Sequence, residues 1–145
     1  MEPMIVSNRD LVTIRRKNNN ERFVENDVVL YWQKGNMLLH RVVQVKSSGE
    51  YVVLGDNCSR KEYGIFDNNI VGVLVSFKHK GIHYEVTDKR YKAYVSCLRR
   101  NQWWRMNRKL VYDFIIRHMS FAPDKWQQAI KSILRKIVVK KIKFE

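Results

Sequence analysis

Over the first ninety residues, short apolar runs alternate with clusters of turn-forming residues. Positions 11–15, 27–33, 37–46, 50–55 and 70–78 are rich in Val, Ile, Leu, Tyr and Trp. Between them fall the Lys-Asn-Asn-Asn stretch at 17–20, Lys34-Gly35-Asn36, Ser47-Ser48-Gly49 and Asp67-Asn68-Asn69. Runs of this length and spacing predict strands joined by hairpins in a mainly β domain, not alternating strand and helix. Lys34-Gly35-Asn36 is a strong hairpin signal, because Gly and Asn tolerate positive φ. Lys80-Gly81 predicts a second hairpin, leading into positions 82–86.

Near Tyr91 the pattern changes. Beyond it Gly is absent and Pro123 is the only breaker. Leu110, Val111, Phe114, Ile115 and His118 recur at helical spacing, as do Ile130, Ile133, Leu134, Ile137 and Val138. The expected architecture is a β domain over 1–90 followed by two basic amphipathic helices within 91–145.

Charge sharpens that division. The chain carries a formal +14, but residues 96–145 hold 13 Lys/Arg against three acids, a net of +10. A basic tail suits phosphate-bearing partners, whether lipid or nucleic acid. Trp103-Trp104-Arg105, Tyr112, Phe114 and Trp126 interleave aromatics with those charges. This mixture fits an anionic membrane surface, with rings at headgroup depth. It also fits stacking on nucleic acid, although no helix-turn-helix or zinc pattern supports sequence reading, so membrane ranks first. A third reading makes the helices a cap, their apolar stripe packed on the β domain.

No apolar run approaches the roughly 20 residues of a spanning helix, and the N-terminus lacks a signal-peptide core. Cys58 and Cys97 form neither a disulfide framework nor a metal-ligand spacing. A reduced, cytoplasmic or peripheral-membrane setting is expected. No metal or organic cofactor is implied.

Two residues stand out as candidate chemistry. In Leu38-Leu39-His40-Arg41-Val42-Val43, strand alternation puts His40 on one face with Leu38 and Val42. Such an imidazole is either an inert half-buried side chain or a general base. Gly55-Asp56-Asn57 ends the next run. It is either an ordinary Asp/Asn turn or the source of a carboxylate that orients His40.

Taken in order, Met1-Glu2-Pro3, Asp10-Leu11-Val12 with Asn26-Asp27-Val28-Val29, His40-Arg41-Val42-Val43 and Gly55-Asp56-Asn57 resemble a known pattern. It is that of the signal-peptidase and repressor-cleavage superfamily of serine peptidases (S24/S26). The superfamily runs Ser-Met-x-Pro, Gly-Asp-x-Val, base-Arg-Val and Gly-Asp-Asn. The chain is similar to its histidine-base branch, in a compact form without a transmembrane anchor. Ile70-Val71-Gly72-Val73 looks like the strand that closes the fold, and Glu62-Tyr63-Gly64-Ile65 resembles a smaller bacterial group. The resemblance covers residues 1–90.

The resemblance implies a LexA/signal-peptidase-like coiled β-sheet. It implies a serine endopeptidase that cleaves a leader or signal peptide by acyl transfer, with His40 as general base and Asp56 as orienting acid. Met1 and Pro3 would bind substrate, with backbone N–H groups near Met1 stabilising the oxyanion, and substrate would add as a strand along 70–76, against Ile70, Val71, Gly72 and Val73. The superfamily's serine stands immediately before the Met-x-Pro, so the nucleophile falls outside these residues. An upstream start is the expected explanation, and the chain by itself is expected to be inactive. Ser7 lies too far after Pro3, and Ser59 occupies a supporting position. Cys58 would need a depressed pKa beside His40, for which nothing in the sequence argues. The alternative is a non-catalytic peptide-binding or regulatory module with a membrane- or nucleic-acid-binding tail.

Overall fold

The computed structural model describes residues 1–118 except Pro3, and only the backbone of 105, 108–113 and 116. The second predicted helix, around Ile130 to Val138, lies outside the described residues. Among the described residues seven strands precede two α-helices: β1 (Leu11–Arg16), β2 (Val28–Gln33), β3 (Asn36–Val45), β4 (Tyr51–Leu54), β5 (Glu62–Ile65), β6 (Ile70–His79), β7 (Ile82–Glu85), α1 (Lys89–Arg100) and α2 (Gln102–His118). The domain is mainly β, as the pattern predicts. The unpredicted strand is β5, whose four residues are too few and too polar to register as an apolar run.

All strands join one antiparallel sheet in the order β1-β6-β2-β3-β4-β5, with β7 added to the far end of β6. Both predicted hairpins form, each through a two-residue turn. Lys34 and Gly35 have φ of 49° and 77°, and Lys80 and Gly81 have 50° and 85°. Two successive left-handed residues give the turn that matches the right-handed twist of the flanking strands. Asn36 is therefore the first residue of β3, not part of the turn. Four of the pairings carry a register shift, and each such bulge bends its strand and increases the twist.

Alternation along each strand feeds two cores, one on each face. Val28, Leu74 and Phe77 pack with Met4, Ile5, Tyr84 and one face of α1. Their neighbours Val29 and Val73 turn the other way, joining Tyr31, Val42, Tyr51, Val53 and Ile65. Burial on both faces explains why consecutive residues such as Val28-Val29 are both apolar.

Helix α1 seals the first face. Tyr91, Tyr94, Val95 and Leu98 follow the i, i+3, i+4, i+7 spacing of a single stripe and are all buried. That stripe is as legible in the sequence as the one around Leu110, but it straddles the shift in composition near Tyr91. The first of the two helices in the described region is thus a structural cap. By contrast α2 leaves Trp103 and Phe114 exposed, at 69% and 62%. Among the described residues no helix is long and apolar enough to cross a membrane.

The N-terminal segment is clasped onto β6. The Asp10 carboxylate, with no exposed side-chain surface, accepts hydrogen bonds from the Val6 amide (2.9 Å) and from Arg9. It also lies 2.9 Å from Nδ1 of His79. The bond from Arg9, more than any other contact, holds this carboxyl well below the usual carboxylate range. The clasp keeps Met4 and Ile5 seated in the first core.

If α1 is integral to the fold, Leu98→Ala will destabilise the protein by about 2–5 kcal/mol, the usual cost of emptying a buried leucine site. Trp103→Ala, on the exposed side of α2, will change stability by under about 0.5 kcal/mol. Urea denaturation of the two variants measures both. Equal, small losses would mean that α1 is dispensable.

Candidate functional site

The site grows from the alternation of β3. His40 faces the second core and its neighbour Arg41 faces the first. Because the β2–β3 hairpin pairs Gln33 with Asn36, Tyr31 opposes Leu38 and Val29 opposes His40. Tyr31 and His40 are therefore diagonal neighbours on one face, within reach of each other's long side chains. The Tyr31 hydroxyl lies 2.9 Å from Nδ1 of His40 and donates to Oε2 of Glu62 at 2.7 Å. Glu62 arrives from β5, and its Oε1 is 3.3 Å from the same ring nitrogen.

This arrangement fixes the tautomer. The tyrosine has one proton, and it goes to the carboxylate, so its oxygen accepts from Nδ1–H of the imidazole. With the proton on Nδ1, Nε2 carries the free lone pair. Burial pushes the His40 pKa below its ordinary value, outweighing the Glu62 carboxylate, which raises it. The positive charge on the nitrogen of residue 1 lowers it further, and Asp56 raises it through its charge. The ring is thus neutral at pH 7 and presents a basic Nε2. Burial, reinforced by Glu62, raises the Tyr31 pKa far above that of a free phenol, so the hydroxyl stays protonated.

Nε2 points toward the end of β4. A Cβ on Gly55 would meet Sγ of Cys58 at 2.7 Å and Nε2 of His40 at 2.9 Å. A side chain at position 55 would therefore have to push the thiol and the imidazole aside. The turn is held by the Cys58 amide donating to the Gly55 carbonyl at 2.9 Å.

Asp56 does different work from that expected of it. Its carboxylate grips Arg41 in a two-point ion pair, at 3.0 Å to Nε and 2.8 Å to the second guanidinium nitrogen. Tyr94 of α1 donates to it at 3.1 Å. Arg41 in turn donates to the Tyr91 hydroxyl and the Asn26 carbonyl, both at 2.9 Å. Burial opposes the guanidinium charge, but Asp56 and Tyr91 outweigh it and raise the Arg41 pKa. The hydrogen-bonding role at Nδ1 that the resemblance assigns to Asp56 is filled by Tyr31 and Glu62. The physical reason is alternation: Asp56 serves the Arg41 face of the sheet, opposite the imidazole.

The remaining expected site residues are placed as follows. Met1 is half-buried against the first core, and Pro3 lies outside the described residues. Ile70, Val71, Gly72 and Val73 sit in β6, where β1 pairs with Gly72 and Val73, and β2 with Ile70, Gly72 and Val73. The Val71 carbonyl accepts from the Lys17 amide. Both edges are taken, so a substrate cannot add as a strand along 70–76 without displacing one. An open depression lies instead between the β2–β3 hairpin and residues 57–63, lined by Leu38, Cys58, Arg60, Lys61 and Glu62. Among the described residues, no group of three or more His, Cys, Asp or Glu is placed to hold a metal.

Tyr31 and Glu62 are the site residues that sequence reasoning missed. Tyr31 was recoverable, because a two-residue turn at Lys34-Gly35 sets the register that puts it beside His40. Glu62 had no such signal, since its approach depends on a strand too short to read. Compared with protein-family models, curated proteins and solved structures, the chain matches none.

Glu62 supports the protonated imidazole, so its charge can be read out. Glu62→Gln will lower the His40 pKa further below 6.5, the ordinary value for the ring. Since the unfolded chain binds this proton more tightly, His40 lowers stability as pH falls through and below its ordinary pKa, and the loss will be larger in the variant. Titration of the ring protons by NMR measures the first effect, and denaturation between pH 7 and 5 the second. An unchanged or raised His40 pKa in Glu62→Gln would remove Glu62 from the site.

Proposed function

We propose that this domain is an acyl-transfer peptidase of the signal-peptidase type, with a coiled sheet of that kind. His40 is its general base, and the resemblance puts the serine nucleophile beside the Met-x-Pro pattern that Met1-Glu2-Pro3 matches. One observation carries the reading: an imidazole with Nδ1 anchored by Tyr31 and Glu62 and Nε2 turned toward the end of β4. His40 would take the hydroxyl proton during attack on the scissile carbonyl and return it to the leaving amine. Glu62 and Tyr31 would hold the ring in the required tautomer, the function of the third member of a triad. The substrate is a leader or signal peptide, and the depression beside Cys58 and Glu62 is the place for its chain.

The exposed Trp103 and Phe114 of α2, with the net +10 of residues 96–145, favour an anionic membrane surface as a further partner. Their aromatic faces suit stacking on nucleic acid as well, but the sequence carries no helix-turn-helix or zinc pattern for reading bases.

A chain extended by Gly-x-Ser ahead of Met1 will cleave a leader peptide that the 145-residue chain leaves intact. His40→Ala in the extended chain will lower the rate by about 10⁴-fold or more. Timed mass spectrometry of the peptide is the assay, and full activity without His40 would end this proposal. Anionic vesicles will co-sediment the full chain in a salt-sensitive way, each basic residue near the surface adding roughly 1 kcal/mol. Trp103→Ala with Phe114→Ala will weaken that attachment. Equal recovery on neutral vesicles would exclude the membrane role.

A further inference from the structure

Cys58 is exposed, yet it is not an isolated thiol. Its Sγ and Nε2 of His40 lie 2.7 and 2.9 Å from one point beside Gly55, so they are no farther apart than those two distances laid end to end. Nε2 is the ring nitrogen left without a proton, because Tyr31 and Glu62 hold the hydrogen on Nδ1. A thiol beside a neutral, oriented imidazole is the arrangement that produces a thiolate nucleophile. The depression that Cys58 lines also carries Lys34, Arg60 and Lys61, three cations against the single carboxylate of Glu62. Cations near a thiol favour its ionised form and attract anionic reagents. Cys97 provides a contrast within the same chain. It is half-buried on α1, and its sulfur and carbonyl both receive the Asn101 amide.

We propose that Cys58 is a reactive thiol, with its proton removed by Nε2 of His40, that exchanges with small anionic disulfides. In the exchange, Cys58 sulfur attacks one sulfur of the disulfide, a new S–S bond forms and the original one breaks. The departing thiolate leaves with the electron pair, and the proton passes from Cys58 through His40 to that thiolate. The products are a mixed disulfide at Cys58 and one free small thiol. The adduct stands on the Nε2 side of His40, so it obstructs the base until a thiol reverses it. The reactivity stands on the Cys58–His40 geometry alone, and only the consequence for peptide cleavage rests on the proposed function.

The test is the reaction of the full chain with 5,5′-dithiobis(2-nitrobenzoate), a doubly anionic disulfide, with adducts at Cys58 and Cys97 followed separately by peptide mass spectrometry. Cys58 will react at least about tenfold faster than Cys97 at pH 7, and His40→Gln will slow Cys58 about tenfold or more without changing Cys97. A neutral dipyridyl disulfide will lose part of the advantage, and added salt will reduce the rate with the anionic reagent. Identical Cys58 rates in the wild type and in a folded His40→Gln variant would overturn the proposal. So would a Cys58 rate no greater than that of Cys97. Should glutamine at position 40 unfold the chain, the wild-type pH profile decides. An inflection at the His40 pKa measured by NMR supports the pair, and a single rise near the free-thiol value of about 8.5 refutes it.

Discussion

The buried ion pair between Arg41 and Asp56 is the contact on which the rest of the structure depends. It joins the middle of β3 to the turn after β4, and through Tyr91 and Tyr94 it fastens α1 to both. A charge pair taken this far out of water is tolerated only when its hydrogen-bonding capacity is used. Here the guanidinium has four bonds, and among the described residues no buried side-chain polar atom lacks a partner. Removal of one member would leave the other charged and unpaired in the core, at a typical cost of about 3–5 kcal/mol. The pair therefore specifies one arrangement of sheet and helix more than it adds net stability.

The same pair indirectly shapes the candidate site. By holding Asp56 to the first face, it fixes the Gly55 turn, and that turn brings Cys58 beside His40. Adjacent residues on β3 thus serve opposite purposes. Arg41 is sunk among tyrosines as a structural cation, while His40 remains neutral next to an open depression. Their separation by the sheet lets a permanent ion pair and a titratable base sit one residue apart.

Carboxylates divide the labour in a similar way. Asp10 and Asp56 are both buried and both spent on tying segments together, the N-terminal segment to β6 and α1 to β3. Glu62 is partly exposed, and it shares its carboxylate between Tyr31 and the His40 imidazole. Partial exposure matters, because the Glu62 charge is screened enough to assist protonation of His40 without locking the ring in the charged form.

Much of the fold was legible in the chain. Alternating apolar runs and the Lys-Gly turns determined six of the seven strands and the antiparallel hairpins, because side-chain period and turn chemistry are local properties. The candidate base was also visible, as a histidine on a half-buried strand. The partner of that base was not. Gly55-Asp56-Asn57 advertises a carboxylate at the right distance along the chain, but the face it serves depends on where Arg41 points and on how α1 packs. Glu62 and Cys58 reach His40 only because β5 folds back against β4 and the Gly55 turn closes. The sequence by itself determined the strands, their turns and the identity of the imidazole. Tertiary structure decided which charges meet it, because contacts across a sheet are set by register and packing between segments distant in the chain.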